Sequence, residues 1–327
     1  MHSSAPLLPP TLTRADYQKL KTSANLWLQA MQIICQRHAL PAEKLVRFGD
    51  GTDPADGSEI IFAVGTDYVI KLFPPYHQRL FEAEISVARH VFGNLSIATP
   101  QVYADGTFDG WPYLVISRLQ GVYLAEVWHT LEHANQLSLV SELAQVLAHL
   151  HSLPAHHLSL LYANWPEFVD TRVRGCVQRH RAQGVPEYWL QQIPDFLAQA
   201  APLYPPSFTP AIVSGDIHEY HLLVKQKGSQ WLLSGLFDFD DALLGFYEYD
   251  LAAAALYMMA GRHTLLRPFL LSYGYAEADL DEALCYRLMA YTLLHRYRPF
   301  NYWLGEACAW QPCSTLEEVA HVIFAFA

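Results

Sequence analysis

The chain has 327 residues, of which 52% are hydrophobic and only 16% are charged. A chain of this length and composition can bury a sizeable core, which excludes a disordered tail or scaffold. The formal net charge of −11 argues against a surface that binds nucleic acid or an anionic membrane, and it favours a neutral or cationic partner.

The cysteines and the hydropathy pattern indicate a cellular compartment. Five cysteines without a CxxC pair do not make a disulfide framework. The N-terminal run MHSSAPLLPP lacks the basic and apolar regions of a signal peptide, and the longest apolar stretch, residues 251–260, is about half as long as a membrane span. We therefore expect a soluble, cytoplasmic protein.

The first third of the chain has the pattern of a helix followed by a small sheet. Apolar residues at helical spacing predict one amphipathic helix from Ala15 to His38. Short β-type runs separated by turns predict strands, and one segment between them regains helical periodicity. The runs 45–48, 60–64 and 67–73 predict two or three strands, the segment 99–119 predicts two more, and the predicted helix is 78–92.

Long helical patterns dominate the rest of the chain. The clearest are 137–153 and 280–297, and β-like runs at 211–224 and 231–241 interrupt them. The predicted fold class is therefore α+β. We expect an N-terminal extension and helix over 1–40, a small sheet-plus-helix lobe over 41–119, and a larger, mainly helical lobe over 120–327.

Two acidic clusters each follow a short apolar strand. Asp216 lies in the run SGDIHEYH, and Asp238, Asp240 and Asp241 lie in GLFDFDD, where Asp238 is 22 positions after Asp216. Aspartates at strand ends in apolar surroundings are costly to bury unless they are paired, hydrogen-bonded or bound to a metal. Either cluster alone has the alternative of turn-forming aspartates, but the presence of both favours function.

These motifs resemble the aminoglycoside phosphotransferase and choline kinase-like family, whose members are related to the protein kinases. Most members carry HGDxHxxN, then a strand, then IDFxD. This chain reads SGDIHEYH at 214–221, FDFDD at 237–241 and YDLA at 249–252. The resemblance spans residues 45–260. It implies a protein-kinase-like fold, with ATP as the nucleotide, Mg²⁺ as the metal and a small hydroxylated molecule as the acceptor.

The resemblance also implies a role for each motif residue. Asp216 would accept the proton from the acceptor hydroxyl, and Asp238 would hold Mg²⁺ on the nucleotide phosphates. Lys71 would contact the α- and β-phosphates, with Glu84 on the following helix as its ion-pair partner. Glu82 is the rival for that partner, but the apolar pattern after Glu84 matches the family's helix better.

Two further segments would complete the nucleotide site. Gly57 and Ser58, in the loop before a strand, would bring backbone N–H groups close to the phosphates, although an ordinary surface turn is the alternative. Backbone groups around Ser117 and Leu119, in the predicted connection between the lobes, would bond the adenine. By resemblance, the nucleotide would lie between the two lobes.

Two positions depart from the family pattern. Ser214 replaces the leading histidine of HGD, and His221 replaces the asparagine that binds metal in the family. Imidazole suits Zn²⁺ or Mn²⁺ better than Mg²⁺, so Mn²⁺ is an alternative metal at His221. The leading function is an ATP-dependent phosphotransferase that acts on a small-molecule hydroxyl. The alternative is a catalytically degenerate module of the same fold that binds nucleotide or a protein.

Other patterns in the sequence are interpreted as structural and not as functional. The run HTLEH at 129–133 matches the HxxEH motif of inverted zinc peptidases, but it arises readily by chance in a chain with sixteen histidines. His149, His151, His156 and His157 are interpreted as structural residues. Aromatic residues near the C-terminus are assigned mainly to the core, with an acceptor pocket as the alternative for those near Arg296 and Glu306.

Overall fold

The computed structural model describes residues 5–49, 59–296 and 300–326, and the statements below refer to these residues. The chain divides into two units, neither of which is one continuous segment. The first comprises Met1–Asn94, Ala98–Gln120 and Leu236–Asp241; the second comprises Leu95–Ile97, Gly121–Gly235 and Ala242–Ala327. The first unit therefore includes both the N-terminal extension and the acidic FDFDD run.

The first unit contains an antiparallel sheet with helices. Its strands are ordered β1-β2-β3-β5-β4. Its elements are α1 (Arg14–Lys21), α2 (Ala24–Arg37), β1 (Leu45–Phe48), β2 (Ile60–Val64), β3 (Tyr68–Leu72), α3 (Gln78–Val91), β4 (Val102–Phe108) and β5 (Trp111–Ser117). The strands and α3 agree closely with the sequence prediction.

The two faces of this sheet pack against different apolar clusters. Ile70 and Leu72 of β3 belong to a core that includes Trp27 and Ile34 of α2. Leu114 of β5 belongs to a second cluster that includes Ile85 of α3. Successive side chains of a strand point to opposite faces. Lys71, which pairs with Leu114 in the strand register, therefore lies on the face that carries α3.

The single helix predicted from Ala15 to His38 is two helices. The break falls at Thr22 and Ser23, between α1 and α2. The indole Nε1 of Trp27 donates hydrogen bonds to the carbonyl oxygens of Leu20 and Lys21, at 3.1 and 3.0 Å. These carbonyls lie at the end of α1, where a helix leaves acceptors unsatisfied, so the buried Trp27 side chain stabilises the break.

The second unit is mainly helical, with short strands. Its sheets are β10-β7 and β6-β8-β9. Its elements are β6 (Val122–Tyr123), α4 (Leu124–Val127), α5 (His133–Ser152), α6 (Trp165–Ala182), α7 (Glu187–Leu190), α8 (Ile193–Ala200), β7 (Ala211–Val213), β8 (Leu222–Lys227), β9 (Gln230–Leu236), β10 (Leu243–Gly245), α9 (Glu248–Met259), α10 (His263–Tyr273), α11 (Glu282–Leu294), α12 (Phe300–Trp310) and α13 (Leu316–Phe324). The predicted α+β fold class is confirmed.

Helix α9 is buried on almost every side. Helices that are apolar all round are typical of the centre of a large core. Its polar exceptions, Glu248 and Asp250, lie in its first turn and are 1% and 0% exposed. Their burial requires partners, which are described below. Along the described ranges of the chain, no helix combines the length and the apolar character needed to span a bilayer.

Candidate functional site

The first unit contains a buried ion-pair network. The ammonium of Lys71 lies 3.2 Å from Oε1 of Glu84 and 2.8 Å from Oδ1 of Asp238. The Lys71 residue is 4% exposed and Glu84 is fully buried. The structure thus brings together three residues that the sequence analysis selected, and one lysine contacts both carboxylates.

Glu84 is positioned by α3 and by the acidic run. It lies on the buried face of α3 with Ala88 and Val91, as its apolar neighbours in the sequence indicate. Its Oε2 accepts a hydrogen bond of 2.6 Å from the backbone nitrogen of Phe239, next to Asp238. The rival Glu82 is instead part-exposed and accepts a hydrogen bond from Gln78.

The electrostatic surroundings keep Lys71 charged. Burial alone would lower the pKa of Lys71, but the carboxylates of Asp238, Glu84 and Asp240 raise it well above its usual value. Burial raises the pKa of Glu84, and Lys71 counteracts that rise. A permanently charged ammonium at this position suits the binding of phosphate groups.

The acidic run has a strained backbone and a crowded charge distribution. Asp238 adopts a φ of +73°, a left-handed conformation that aspartate tolerates better than most residues. Its side chain remains 21% exposed, so it can contact a solute. Burial raises the pKa of Asp240 well above its usual value, and the neighbouring Asp238, Glu59 and Asp241 raise it further.

This acidic run fits a divalent cation. Mg²⁺ prefers carboxylate and other oxygen ligands, and Asp238 and Asp240 offer carboxylate oxygens. Burial first, and then repulsion by neighbouring carboxylates, raises the pKa of Asp240, and a bound cation would relieve that repulsion. The donor set is therefore suited to Mg²⁺, and Asp240 joins Asp238 as a candidate ligand.

The SGDIHEYH run forms a loop in the second unit that is anchored by Asp250. The Oδ2 and Oδ1 atoms of Asp250 accept hydrogen bonds from the backbone nitrogens of Ser214 and Gly215, at 2.7 and 2.9 Å. Nε2 of His151 lies 3.1 Å from the same Oδ2, and Nδ1 of His151 lies 2.9 Å from the hydroxyl of Tyr273. Asp250 thus fixes the backbone immediately before Asp216.

Two histidines of the loop adjoin Asp216. Nε2 of His218 lies 3.4 Å from Oδ2 of Asp216. Nδ1 of His218 accepts a hydrogen bond from the backbone nitrogen of Tyr220, so the ring hydrogen is on Nε2 and faces the carboxylate. Nδ1 of His221 donates to the carbonyl oxygen of Asp216 at 2.8 Å, which leaves Nε2 of His221 as its basic nitrogen.

Among the residues that the structure describes, Asp216, His218 and His221 form the one group of three or more histidine, cysteine, aspartate or glutamate residues whose ligand atoms lie close enough together to hold a metal ion. This donor set contains two imidazoles and one carboxylate, so it suits a transition metal better than Mg²⁺. However, the proton on Nε2 of His218 would have to leave before that nitrogen could bind a metal.

The structure describes two of the four remaining residues that the sequence predicts to contact the nucleotide. Gly57 and Ser58 lie outside the described residues. Ser117 ends β5, and its backbone nitrogen donates to the carbonyl of Gln101 at 2.9 Å, so this N–H is already used within the first unit. Leu119 follows β5 in an irregular, half-buried segment.

The zinc-peptidase pattern does not form the required helix. His129 lies in a 3₁₀ turn, Trp128–Thr130, whereas His133 begins α5. The two histidines therefore do not share the face of one helix, which the HxxEH interpretation needs. The structural interpretation of His151 fits its two hydrogen bonds.

Glu248 and Asp250 are buried, so neither carboxylate presents its charge to solvent. Glu248 pairs with Arg287, and Asp250 binds the loop backbone. The sequence analysis missed the anchoring roles of Asp250 and His151, which are 99 residues apart. The YDLA motif was the available signal for Asp250.

The phosphotransferase enzyme family model, abbreviated APH, matches residues 50–284, which is more than half of the chain. The chain belongs to the APH phosphotransferase family. The matched range contains the Lys71 network and the loop around Asp216.

The individual proteins that resemble this chain either match only a short part of it or share a low sequence identity with it. Hydroxylysine kinase of Danio rerio is 30% identical over 92 residues, which are 28% of this chain and 21% of that protein. The match to this curated relative thus spans about a fifth of its length. This partial identity alone therefore does not assign the substrate in that protein's name to this member of the APH family.

Solved structures of the APH family share the fold. The GDP complex of wild-type aminoglycoside 2'-phosphotransferase-IIIa has a TM-score of 0.65 and 19% identity, covering 89% of this chain and 97% of that chain. A streptomycin–ATP ternary complex of APH(2")-IIa has a TM-score of 0.59 and 16% identity, covering 89% and 97%. The protein-kinase-like fold implied by the motifs is thereby confirmed.

Proposed function

We propose that this protein transfers the γ-phosphate of ATP to a hydroxyl group of a small molecule. The observation that carries the proposal is the buried Lys71 held by both Glu84 and Asp238, in a chain of the APH family. The acidic run beside this lysine and the anchored loop around Asp216 supply the other groups that phosphoryl transfer needs.

The proposed roles follow from the chemistry of each group. Lys71 binds the α- and β-phosphates as a permanent cation, and Glu84 holds it in place. Asp238, with Asp240, would hold Mg²⁺, which when bound neutralises charge on the phosphates. Leu119 offers backbone groups for the adenine.

In the reaction, the acceptor oxygen forms a bond to the γ-phosphorus while the bond from that phosphorus to the ADP oxygen breaks. Asp216 accepts the proton of the acceptor hydroxyl. Nε2 of His218 lies 3.4 Å from Oδ2 of Asp216 and helps to orient that carboxylate. Asp250 positions the loop and does not touch the substrate.

The acceptor belongs to the class of hydroxylated small molecules, with amine-bearing members favoured by the net charge of −11. Structures of similar fold include a complex with the aminoglycoside streptomycin, and the partial relative is a hydroxylysine kinase. Tyr257, whose ring lies 5.2 Å from that of His218, and Trp303 beyond it support an aromatic surface near the acceptor.

The Asp216→Ala variant tests the proposal. We expect phosphoryl transfer from ATP to a panel of aminoglycosides, hydroxylysine and choline to fall at least about a hundredfold. Nucleotide binding, measured by thermal stability with ATP and Mg²⁺, should be retained. Unchanged turnover would remove Asp216 from the role of base, and no nucleotide binding in the wild type would contradict the whole proposal.

A second candidate function is a module of the same fold that binds nucleotide or a protein without transferring phosphate. The observation that favours it is His221, an imidazole in place of an oxygen ligand, together with Ser214. Nucleotide binding without transfer to any acceptor or to water, under both Mg²⁺ and Mn²⁺, would favour this second function.

A further inference from the structure

A cavity of about 490 Å³ lies at the N-terminal end of α9. Its lining includes Tyr247, Tyr273 and Tyr275. Tyr247 stacks on Tyr273 with 5.3 Å between ring centroids, and the ring of Tyr275 lies 5.9 Å from that of Tyr273. Each tyrosine remains partly exposed, so the three form an aromatic wall that a ligand can reach.

The cavity is distinct from the residues assigned to phosphoryl transfer. It adjoins the first turn of α9, whereas Tyr257, near the other end of that helix, contacts His218. Asp250 and Tyr257 are separated by about 10 Å along the helix axis. None of Asp216, His218 and His221 lines the cavity.

Acidic residues outnumber basic ones in the lining: Glu248, Asp279 and Asp281 against Arg287. Arg287 donates to both carboxylate oxygens of Glu248, at 2.8 and 2.9 Å. Burial alone would lower the pKa of Arg287, but these hydrogen bonds raise it, so Arg287 stays charged and its guanidinium is directed at Glu248. Asp279 and Asp281 therefore give the cavity a negative balance.

We propose that this cavity binds a small organic cation, such as an alkylated ammonium ion. Aromatic rings attract cations through their electron-rich faces, and this is how quaternary ammonium groups are commonly recognised. The two aspartates add attraction for the same charge, and they would repel an anion. The site does not depend on the proposed phosphoryl transfer, because neither its ligand nor its binding involves a nucleotide.

A chain of hydrogen bonds connects the cavity wall to the loop that contains Asp216. Because the Asp250 carboxylate only accepts, His151 donates to it from Nε2 and accepts from the Tyr273 hydroxyl at Nδ1. Asp250 in turn holds the backbone of Ser214 and Gly215. A cation that restrains Tyr273 therefore stabilises the anchored form of the loop.

The binding test uses tetramethylammonium chloride, with sodium chloride at equal ionic strength as the salt control. Tetramethylammonium has no hydroxyl group, so it cannot be a phosphoryl acceptor. We expect a saturable change in the tyrosine ultraviolet spectrum of the full-length protein. Failure of tetramethylammonium to saturate this signal would overturn the proposal, whatever the outcome of the Asp216 experiment.

The two aspartates provide variants that remove charge without removing hydrogen bonds. Asp279 accepts from the backbone of Ala276, and Asp281 accepts from that of Leu284, and asparagine can accept the same bonds. The double variant Asp279→Asn/Asp281→Asn should weaken tetramethylammonium binding about tenfold or more. If it fails to fold, Asp279→Asn alone should weaken binding about threefold.

The matched control is Asp195→Asn, an exposed carboxylate in the first turn of α8, outside the cavity lining. Its affinity for tetramethylammonium should equal that of the wild type. If Asp195→Asn weakens binding as much as the cavity variants do, the overall charge of the protein attracts the cation. If the cavity variants bind tetramethylammonium as tightly as the wild type does, the cation binds elsewhere. Either result overturns the assignment.

Hydrogen exchange tests the connection to the loop. Tetramethylammonium should slow amide exchange at Ser214 and Gly215 several-fold in the wild type. Tyr273→Phe keeps the ring but removes the hydroxyl, so binding should stay within about twofold while the slowing disappears. Slowing that persists in this variant, or that is absent from the wild type, would overturn the connection.

Discussion

The backbone nitrogen of Ser214 lies 2.7 Å from Oδ2 of Asp250, a side chain without exposed surface. This contact joins the first turn of α9 to the loop before Asp216. The loop conformation therefore depends on a fully buried carboxylate, and its removal should affect both folding and activity.

Asp250→Ala should lower the free energy of unfolding by about 3 kcal/mol or more, because two backbone N–H groups and His151 lose their shared acceptor in a buried site. Urea unfolding measures this change. Asp195→Ala, at an exposed site on α8, should change stability by less than about 0.5 kcal/mol. Similar losses in both variants would contradict the anchoring role.

Lys71→Met should also lower the free energy of unfolding, by about 2–4 kcal/mol, because it leaves the buried Glu84 without its cation. The double variant Lys71→Met/Glu84→Gln removes both charges and should recover part of that loss. Nucleotide affinity, measured by calorimetry, should remain low in both variants. Recovery of nucleotide affinity in the double variant would exclude Lys71 as a phosphate ligand.

The raised pKa of Asp240 predicts a pH dependence of stability. Between its unfolded value, near 3.8, and its higher folded value, the native state binds more protons than the unfolded state. Stability from this group is therefore present at low pH and is lost as pH rises through the folded pKa. In urea unfolding without divalent ions, the free energy of unfolding of the Asp240→Asn variant should therefore fall less with rising pH than that of the wild type.

If Asp238 and Asp240 hold Mg²⁺, the same measurement with Mg²⁺ should stabilise the wild type at neutral pH more than Asp240→Asn. Equal stabilisation of the two proteins would exclude Asp240 as a ligand. An unchanged pH slope in Asp240→Asn without divalent ions would assign the pH dependence to other carboxylates.

His221→Asn should raise the ratio of transfer with Mg²⁺ to transfer with Mn²⁺ several-fold, because an amide oxygen suits Mg²⁺ better than imidazole does. The asparagine NH₂ group can also donate toward the Asp216 carbonyl, which His221 now contacts. Steady-state rates with each metal measure the ratio. A fall in both rates with an unchanged ratio would show that His221 acts only through the loop conformation.

Local patterns predicted much of the fold. Strand alternation and helical spacing gave correct positions for β2, β3, β5 and α3, and motif order predicted the family. The placement of Lys71 beside Glu84 follows from the same patterns, because a strand residue on the α3 side meets the buried face of that helix.

Long-range contacts account for what local patterns missed. The break after α1 depends on the side chain of Trp27, and the burial of Asp250 depends on His151, 99 residues away, and on a loop 35 and 36 residues away. HTLEH satisfied a helical spacing, but its first histidine lies in a 3₁₀ turn. Such outcomes depend on tertiary packing, which overrides local preference.

The first unit is assembled from separate segments of the chain, and this has a consequence for its synthesis on the ribosome. Lys71 and Asp238 are 167 residues apart, so the strand that carries the lysine leaves the exit tunnel long before its second carboxylate exists. At about 5–20 residues per second, that delay is roughly ten to thirty seconds. A nascent chain that stops at residue 120 holds Lys71 and Glu84 but no Asp238, so this unit cannot fold to completion until most of the second unit has also been synthesised.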